Sequence, residues 1–250
     1  MELLSLLIGS VAVFTASFFA TVSGFGYALI ATPLMSSVLP LKSVIIFVLF
    51  LTMMMRVFTM YTTFKDVEWK TVTVVSLGCL IGIQPGSWVL KILSVPSLGL
   101  FLSCALLTAV FLMSRKYKIQ VENKTAGRFG IGIVSGFFGA STSVSGPPIV
   151  LYFLNEDMPK VKMRANMTWI FGLTLVSTAA TYLFTNAYAV VETWTPFYYL
   201  VPANMLGVFL GERCAKFLSQ ELFRKLALVI VCLGAVMMLV SSLKRLGLLG

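Results

Sequence analysis

Residues 139–148, GASTSVSGPP, form a polar break rich in Gly, Ser and Pro between two short apolar segments. A related break, SGFGYALIATP at residues 23–33, follows the first apolar segment of the chain. Such backbone cannot face lipid, because its freed N–H and C=O groups would find no hydrogen-bond partners in hydrocarbon. Each break therefore predicts the tip of a helical hairpin that is enclosed by protein.

The remainder of the chain indicates that these tips lie in a membrane. Of its 250 residues, 58% are hydrophobic and 11% are charged, whereas about a quarter of the residues in a soluble domain are charged. About 20 apolar helical residues are needed to cross a hydrocarbon core about 30 Å thick. By this criterion the chain divides into two sets of five apolar segments. We predict an all-α, polytopic protein of the inner cell membrane, in contact with the lipid bilayer.

Several classes of function are excluded by what the sequence lacks. It has no histidine, and its acidic residues lie at the chain start or in the polar interruptions between apolar runs. These features argue against a proton relay, a transition-metal site and an intramembrane enzyme, all of which need such groups at membrane depth. The net charge is +10. The Lys and Arg residues lie beside apolar spans, where such charges indicate how the protein is oriented in the membrane and not nucleic-acid binding. We expect no catalytic residues, no bound metal and no cofactor.

The two sets of segments resemble each other. Gly82 and Gly86 superpose on Gly207 and Gly211, and a weak internal repeat is typical of transporters that arose by duplication. Chance recurrence of small residues in two membrane regions is the alternative. The prediction is a first transmembrane repeat at residues 1–114, a cytoplasmic basic linker at 115–128 and a second transmembrane repeat at 129–250.

The positive charges predict how the halves are oriented. If the first two segments of each half form a re-entrant hairpin, each half adds three transmembrane helices and the two repeats are inverted. Most of the 19 Lys and Arg residues then lie on the cytoplasmic side, as the positive-inside rule requires. Ten full crossings give the same distribution, and only the shortness of segments 129–141 and 146–155 favours the hairpins.

The hairpin tips are the candidate anion-binding site. A helix that begins after a tip presents unpaired N–H groups and a partial positive charge, which suit an anion. Glycine lets an oxyanion approach the backbone, and Pro147 and Pro148 fit the first turn of a helix. Close helix packing by small residues is the alternative reading. The candidate hydroxyl donors are Thr21, Ser23, Ser141, Thr142, Ser143 and Ser145.

Arg56 is the most unusual charged residue, because it lies well inside an apolar segment between MMM and VFTMY. A cation at membrane depth costs about 3 kcal/mol unless it is paired or reaches water. With no buried acid expected, its partner is an anionic substrate or a hairpin carbonyl. The alternative is that the side chain snorkels towards the cytoplasmic end near Phe64.

Four further residues are weaker candidates. Arg164 begins the third segment of the second half, where it serves as a gate or as an interfacial charge. Gln84, Asn166 and Asn204 are intramembrane amides, and two of them lie near prolines, Pro85 and Pro202. Each amide hydrogen-bonds the substrate or satisfies backbone groups freed nearby.

The motifs SGFGYALIATPLM and GFFGASTSVSGPPIVLYFLNEDMPKVKMRANM resemble the TauE/SafE family of sulfite and organosulfonate exporters, and the resemblance covers nearly the whole chain. It implies a permease for sulfite or sulfonates such as sulfoacetate, with export by alternating access. This sequence differs from many members of the family at Ser143-Val144-Ser145-Gly146, where those members carry a Gly-x-Gly-Gly run. By resemblance the functional positions include Gly24, Gly26, Ser143, Ser145, Gly146, Pro147 and Arg164.

Two other functions stay open. One is an uptake permease for a different small organic anion. The other is a non-transporting membrane scaffold or sensor, which would need a docking region larger than the 14 residues of the 115–128 loop. A homodimer is compatible with the sequence but nothing in it requires one.

Overall fold

The computed structural model describes residues 3–35, 38–39, 41–92, 95–114, 122–142, 145–184 and 194–247. This part of the chain contains ten α-helices, one short 3₁₀ turn at Phe64–Asp66 and no β-strand. The helices are α1 (Leu3–Ser23), α2 (Tyr27–Met35), α3 (Leu41–Thr63), α4 (Trp69–Ile92), α5 (Val95–Ser114), α6 (Lys124–Thr142), α7 (Gly146–Asn155), α8 (Lys160–Phe184), α9 (Thr195–Phe217) and α10 (Gln220–Arg245). The all-α prediction is confirmed.

Three helical stretches within the described residues are long and apolar enough to cross a membrane. They are Ser5–Ser23, Ile46–Asp66 and Gln220–Lys244. A helix rises 1.5 Å per residue, so 19 to 25 residues cover about 28 to 38 Å. The protein is therefore a helical membrane protein, as its composition predicts.

The length predicted for the sixth helix is wrong. The apolar pattern predicts a segment at 129–141, but α6 is a 19-residue helix that begins at Lys124 and is about 28 Å long. Its start is fixed by Asn123, whose Oδ1 accepts the N–H groups of Thr125 at 3.0 Å and Ala126 at 3.1 Å. This N-cap extends the helix into polar sequence. The helix is therefore longer than its apolar segment, but α6 is not among the three described stretches that are apolar enough to cross a membrane. α7 has the predicted bounds.

Glu212 is more buried than its position at the end of an apolar run predicts. The apolar pattern predicts a segment at 194–212, but α9 continues to Phe217. Glu212 is consequently inside the helix and only 8% exposed, while its neighbours Arg213 and Lys216 are exposed. The helix end is amphipathic, so a search for apolar runs stops one turn too early.

The helices form two compact units, and each unit draws on both halves of the sequence. The first contains Met1–Val67 and Met167–Ser219, and the second contains Glu68–Asn166 and Gln220–Gly250. In the first unit α1 packs along α9 and against α2, and α3 packs against α2 and α9. In the second unit α4 packs along α6, α5 along α10, and α7 against α6.

Glycine seams bring the main helix pair of each unit into close contact. A Cβ atom at Gly82 of α4 would lie 2.9 Å from the Phe137 nitrogen of α6, and one at Gly207 of α9 would lie 2.6 Å from the Phe14 oxygen of α1. Real Cβ atoms essentially never come this close, so these positions require glycine. Gly82 and Gly207 are the residues that superpose in the internal repeat.

Candidate functional site

The first hairpin tip is a short reversal between α1 and α2. Gly24 and Gly26 have φ angles of 85° and 90°, a left-handed conformation that residues with a Cβ atom rarely adopt. The Ser23 hydroxyl is 2.7 Å from the Phe19 oxygen and 2.9 Å from the Phe25 oxygen, so it donates to main chain within the turn. Ser23 and Phe25 are almost completely buried. The two glycines and Ser23 thus reverse the chain inside the protein.

Arg56 of α3 binds this tip. Its side chain is buried, and Nη1 donates to the Gly24 carbonyl oxygen at 3.1 Å and to Thr168 Oγ1 at 3.4 Å. Its guanidinium carbon is 5.7 Å from the centre of the Phe171 ring. Because Gly24 directly follows the carboxyl end of α1, the cation also interacts favourably with that helix end. Of the alternatives raised by the sequence, the structure has the hairpin carbonyl as a partner and not a snorkelling side chain.

Thr21 and Asn204 lie beside the same tip. Thr21 is buried against α9, since a Cβ atom at Gly211 would lie 2.9 Å from the Thr21 Cβ. Asn204 is fully buried; its Oδ1 accepts from the Tyr27 hydroxyl at 3.0 Å and its Nδ2 donates to the Leu51 oxygen at 3.0 Å. Both ends of this amide are therefore used to hold the start of α2 against α3 and α9.

A polar face of α3 leads away from Arg56. The Thr59 hydroxyl lies 3.3 Å from the Arg56 carbonyl, and the Thr62 hydroxyl lies 3.1 Å from the Thr59 carbonyl and 2.8 Å from Glu212 Oε1. Sequence reasoning missed Thr62 and Glu212. Arg56, Thr59 and Thr63 share one helix face, because they are three and seven residues apart. This spacing could have indicated a polar face of α3, although it does not include Thr62 itself.

The second hairpin tip lies in the other unit. α7 begins at Gly146, and Pro147 and Pro148 occupy its first turn, both buried, as the sequence predicts. The carbonyl of Ser145 accepts a hydrogen bond from the Ser135 hydroxyl of α6. The backbone of Ser141 and Thr142 lies in the last turn of α6. Ser143 lies outside the described residues.

The remaining candidates are also in the second unit and are dispersed. Asn166 is fully buried; its Oδ1 accepts the Glu68 backbone N–H at 2.8 Å and its Nδ2 lies 3.5 Å from the Met158 sulfur. Arg164 is half-buried on α8, and Gln84 is exposed on α4. The Asn166 amide thus anchors the start of α4 rather than a hairpin tip.

Charged side chains surround that anchor. Arg128 donates from Nη2 to Glu156 Oε2 at 3.0 Å, and Lys162 Nζ is 2.8 Å from Glu68 Oε1. The hydrogen bond from Lys162 lowers the pKa of Glu68 below its ordinary value, against an opposing effect of partial burial and with help from Thr71. The described residues contain no group of three His, Cys, Asp or Glu side chains that could hold a metal ion.

Comparison with known proteins identifies the family. The model of the Sulfite exporter TauE/SafE family matches residues 9–238. The chain belongs to the TauE/SafE family. It is 30% identical over 254 aligned positions to a protein of Cupriavidus necator named "Probable sulfite/organosulfonate exporter TauE", covering 95% of this chain and 96% of that protein. No solved structure matches the chain. As a TauE/SafE member the protein is a membrane transport protein and not an enzyme.

Proposed function

We propose that the protein exports small sulfur-containing anions, sulfite or sulfonates such as sulfoacetate, across the cytoplasmic membrane. The observation that carries this proposal is the buried guanidinium of Arg56 at a glycine tip, hydrogen-bonded to the Gly24 carbonyl. The TauE/SafE family and the name of the Cupriavidus relative support the class of substrate.

The tip offers a sulfonate two kinds of favourable interaction. The guanidinium fork of Arg56 matches two oxygens of an oxyanion, and charge-assisted bonds of this type are about twice as strong as neutral ones. α2 begins directly after Gly26, so the partial positive charge of its first turn lies at the same tip. Gly24 is buried and Gly26 is half-buried, and neither has a side chain that would keep an anion away from the backbone once the tip opens.

Binding of the anion requires Arg56 to exchange partners. In the present arrangement Nη1 donates to a carbonyl and a hydroxyl, both of which are weaker acceptors than an oxyanion. The anion takes over one or both of these bonds, and the Gly24 carbonyl is released. Because Gly24 joins α1 to α2, this exchange changes how firmly the hairpin is held. Substrate binding is thereby linked to movement of the hairpin.

The transport cycle that we propose is alternating access by two inverted repeats, residues 1–114 and 129–250, joined by the linker at 115–128. Each repeat contributes a re-entrant hairpin, and the anion site near the midplane is exposed to one side of the membrane at a time. The glycine seams support the repeat, because Gly82 and Gly207 occupy matching positions and serve the same close packing.

The second tip supplies further candidate anion-binding residues. Ser141, Thr142, Ser143 and Ser145 supply hydroxyl donors, and Gly146 and Pro147 open the helix that follows. Arg164 serves as a gate at the start of α8. Asn166, Asn204 and Gln84 are the amide candidates, of which the first two act through the internal hydrogen bonds described above.

A flux measurement tests the proposal. Purified protein in liposomes is given labelled sulfite or sulfoacetate, and Arg56→Gln is compared with Arg213→Gln, an exposed arginine stacked 4.1 Å above the Phe209 ring. Loss of charge-assisted contacts worth about 1.5 to 3 kcal/mol predicts at least a tenfold fall in uptake or release rate for Arg56→Gln only. Equal flux in wild type and Arg56→Gln would refute the assigned site, and no flux of any sulfur anion would refute the function.

A second experiment examines the other tip. Single cysteines placed across residues 139–148 are treated with a water-soluble thiol reagent in the presence and absence of sulfite, in a background that lacks the four native cysteines. A tip that lines the pathway must react, and sulfite must slow its reaction. Uniform lack of reaction would indicate a dry packing seam.

A further inference from the structure

We propose that Glu212 is a proton-binding site that couples anion transport to proton movement. The inference depends on the proposed anion site and adds to it a second ligand, a proton, on the last residue of a predicted apolar segment. Glu212 is 8% exposed in α9, and two contacts link its surroundings to the helices that carry the first hairpin tip and Arg56.

The first contact is through α9 itself. Gly211, the residue before Glu212, is packed so closely against Thr21 that a Cβ atom there would lie 2.9 Å from the Thr21 Cβ. The second contact is through α3, where the Thr62 hydroxyl donates to Glu212 Oε1 at 2.8 Å. Thr62 lies six residues, or about 9 Å of helix axis, beyond Arg56. Glu212 is therefore one residue of α9 away from the contact with Thr21, and its partner Thr62 is less than two helical turns from Arg56.

The hydrogen bonds at Thr62 suit a carboxyl group that gains and loses a proton. When Glu212 is ionised, the single hydroxyl hydrogen of Thr62 is donated to Oε1 at 2.8 Å. When Glu212 is protonated, the acid donates to the Thr62 oxygen and the hydroxyl hydrogen turns to the Thr59 carbonyl at 3.1 Å. Neither state leaves this pair unbonded, so protonation need not disrupt the helix contacts.

Few other titratable groups face this position. α1 carries none between Leu3 and Ser23, and α3 carries the buried Arg56 and the 85% exposed Tyr61, with Lys42 at its far end. The adjoining 3₁₀ turn carries Lys65 and Asp66, and α9 carries Arg213, Cys214 and Lys216, all exposed. The buried charges in this set are thus one cation, Arg56, and one anion, Glu212.

An anionic substrate and an ionised Glu212 repel each other in this buried setting. Protonation of Glu212 removes that repulsion, so anion and proton bind together, and by linkage each strengthens binding of the other. One proton is taken up with each anion and released with it on the opposite side. A monovalent sulfonate then moves without net charge, and its own outward gradient drives export instead of the membrane potential.

The experiment measures binding of ethanesulfonate, whose charge is constant over the range used, to the purified full-length protein between about pH 5.5 and about pH 8.5. If one proton is taken up with each anion, the dissociation constant rises about tenfold per pH unit. Calorimetry in two buffers with different ionisation heats counts the protons. Glu212→Gln, which resembles the protonated acid, is compared with Glu221→Gln, an exposed carboxyl on α10 paired with Lys225.

We expect the wild type and Glu221→Gln to take up one proton per anion and Glu212→Gln to take up none, with binding independent of pH. In liposomes, sulfonate release by the wild type should raise the internal pH, and release by Glu212→Gln should not. Ethanesulfonate binding by the wild type without pH dependence or proton uptake would overturn the inference while leaving the anion site intact. Equal proton uptake by Glu212→Gln would also overturn it. Failure of every sulfur anion to bind or move would overturn the proposed function as well.

Discussion

Substitution of Gly82 by alanine should destabilise the protein although alanine is the better helix former. The Cβ atom added at Gly82 would overlap the Ile133 carbonyl group and lie 2.9 Å from the Phe137 nitrogen. The obstructing atoms belong to the backbone of α6, so no side chain can rotate away. The two helices must therefore separate.

The size of the effect follows from two opposing contributions. Replacing glycine by alanine inside a helix stabilises it by about 1 kcal/mol, whereas overpacking a close contact costs about 1 to 3 kcal/mol and more when backbone must move. Because backbone must move at Gly82, the cost lies at the upper end, about 2 to 3 kcal/mol, and the net loss for Gly82→Ala is about 1 to 2 kcal/mol. Gly130→Ala on α6 is the matched control, because its Cβ atom meets nothing within 4 Å, and it should be neutral or stabilising.

The assay is thermal unfolding of the purified protein in detergent, read by intrinsic fluorescence at a fixed heating rate. A loss of about 1 to 2 kcal/mol corresponds to a fall of about 2 to 8 °C in Tm for a chain of this size. Gly207→Ala should behave in the same way, because its Cβ atom would lie 2.6 Å from the Phe14 oxygen. Unchanged stability in Gly82→Ala, or equal effects of Gly82→Ala and Gly130→Ala, would refute the close packing of α4 on α6.

Three further predictions concern the surroundings of the site. Tyr27→Phe removes the hydroxyl that Asn204 Oδ1 accepts and should lower stability by about 1 to 3 kcal/mol, measured as Tm and as anion affinity; no change in either would contradict the anchoring role. The pKa of Glu68 is lower in the folded protein than its ordinary value. The ionised Glu68 therefore stabilises the fold fully at pH values above the ordinary carboxyl pKa, and this stabilisation is lost as the pH falls through the lowered pKa. Lys162→Gln should therefore reduce the Tm difference between about pH 7 and about pH 3, modestly because the pair is partly exposed; an unaltered difference would contradict this. Asn123→Ala should cost about 1 kcal/mol by removing the N-cap of α6, and an unchanged Tm would argue against that cap.

The helical architecture could be predicted from hydropathy because each helix contains one long apolar run. The ends of the helices could not be predicted in this way, because polar residues determine where a helix begins and ends. Asn123 starts α6 inside a basic stretch, and α9 continues to Phe217 through residues that are charged on one face only. The same limitation concealed Glu212, whose burial depends on which side of α9 meets its neighbours and not on how apolar the surrounding sequence is.

The candidate site was partly accessible to sequence reasoning. A cation within an apolar segment must have a partner, and this argument identified Arg56 together with a hairpin carbonyl as one alternative. The partner's identity, Gly24, depends on the positive φ angles that bring its carbonyl into reach. An internal role for Asn204 was one of the two alternatives, but its partners Tyr27 and Leu51 could not be foreseen, because they lie 177 and 153 residues away in the chain.

The central claim is that Arg56 and the first hairpin tip receive the anion. A crystal of the protein with 2-bromoethanesulfonate, whose bromine gives an anomalous signal, tests this most directly. We expect the sulfonate oxygens within hydrogen-bond distance of the Arg56 guanidinium and of the backbone at residues 24–27, with the bond to the Gly24 carbonyl released. A sulfonate bound only elsewhere, with Arg56 still donating to Gly24, would contradict the account.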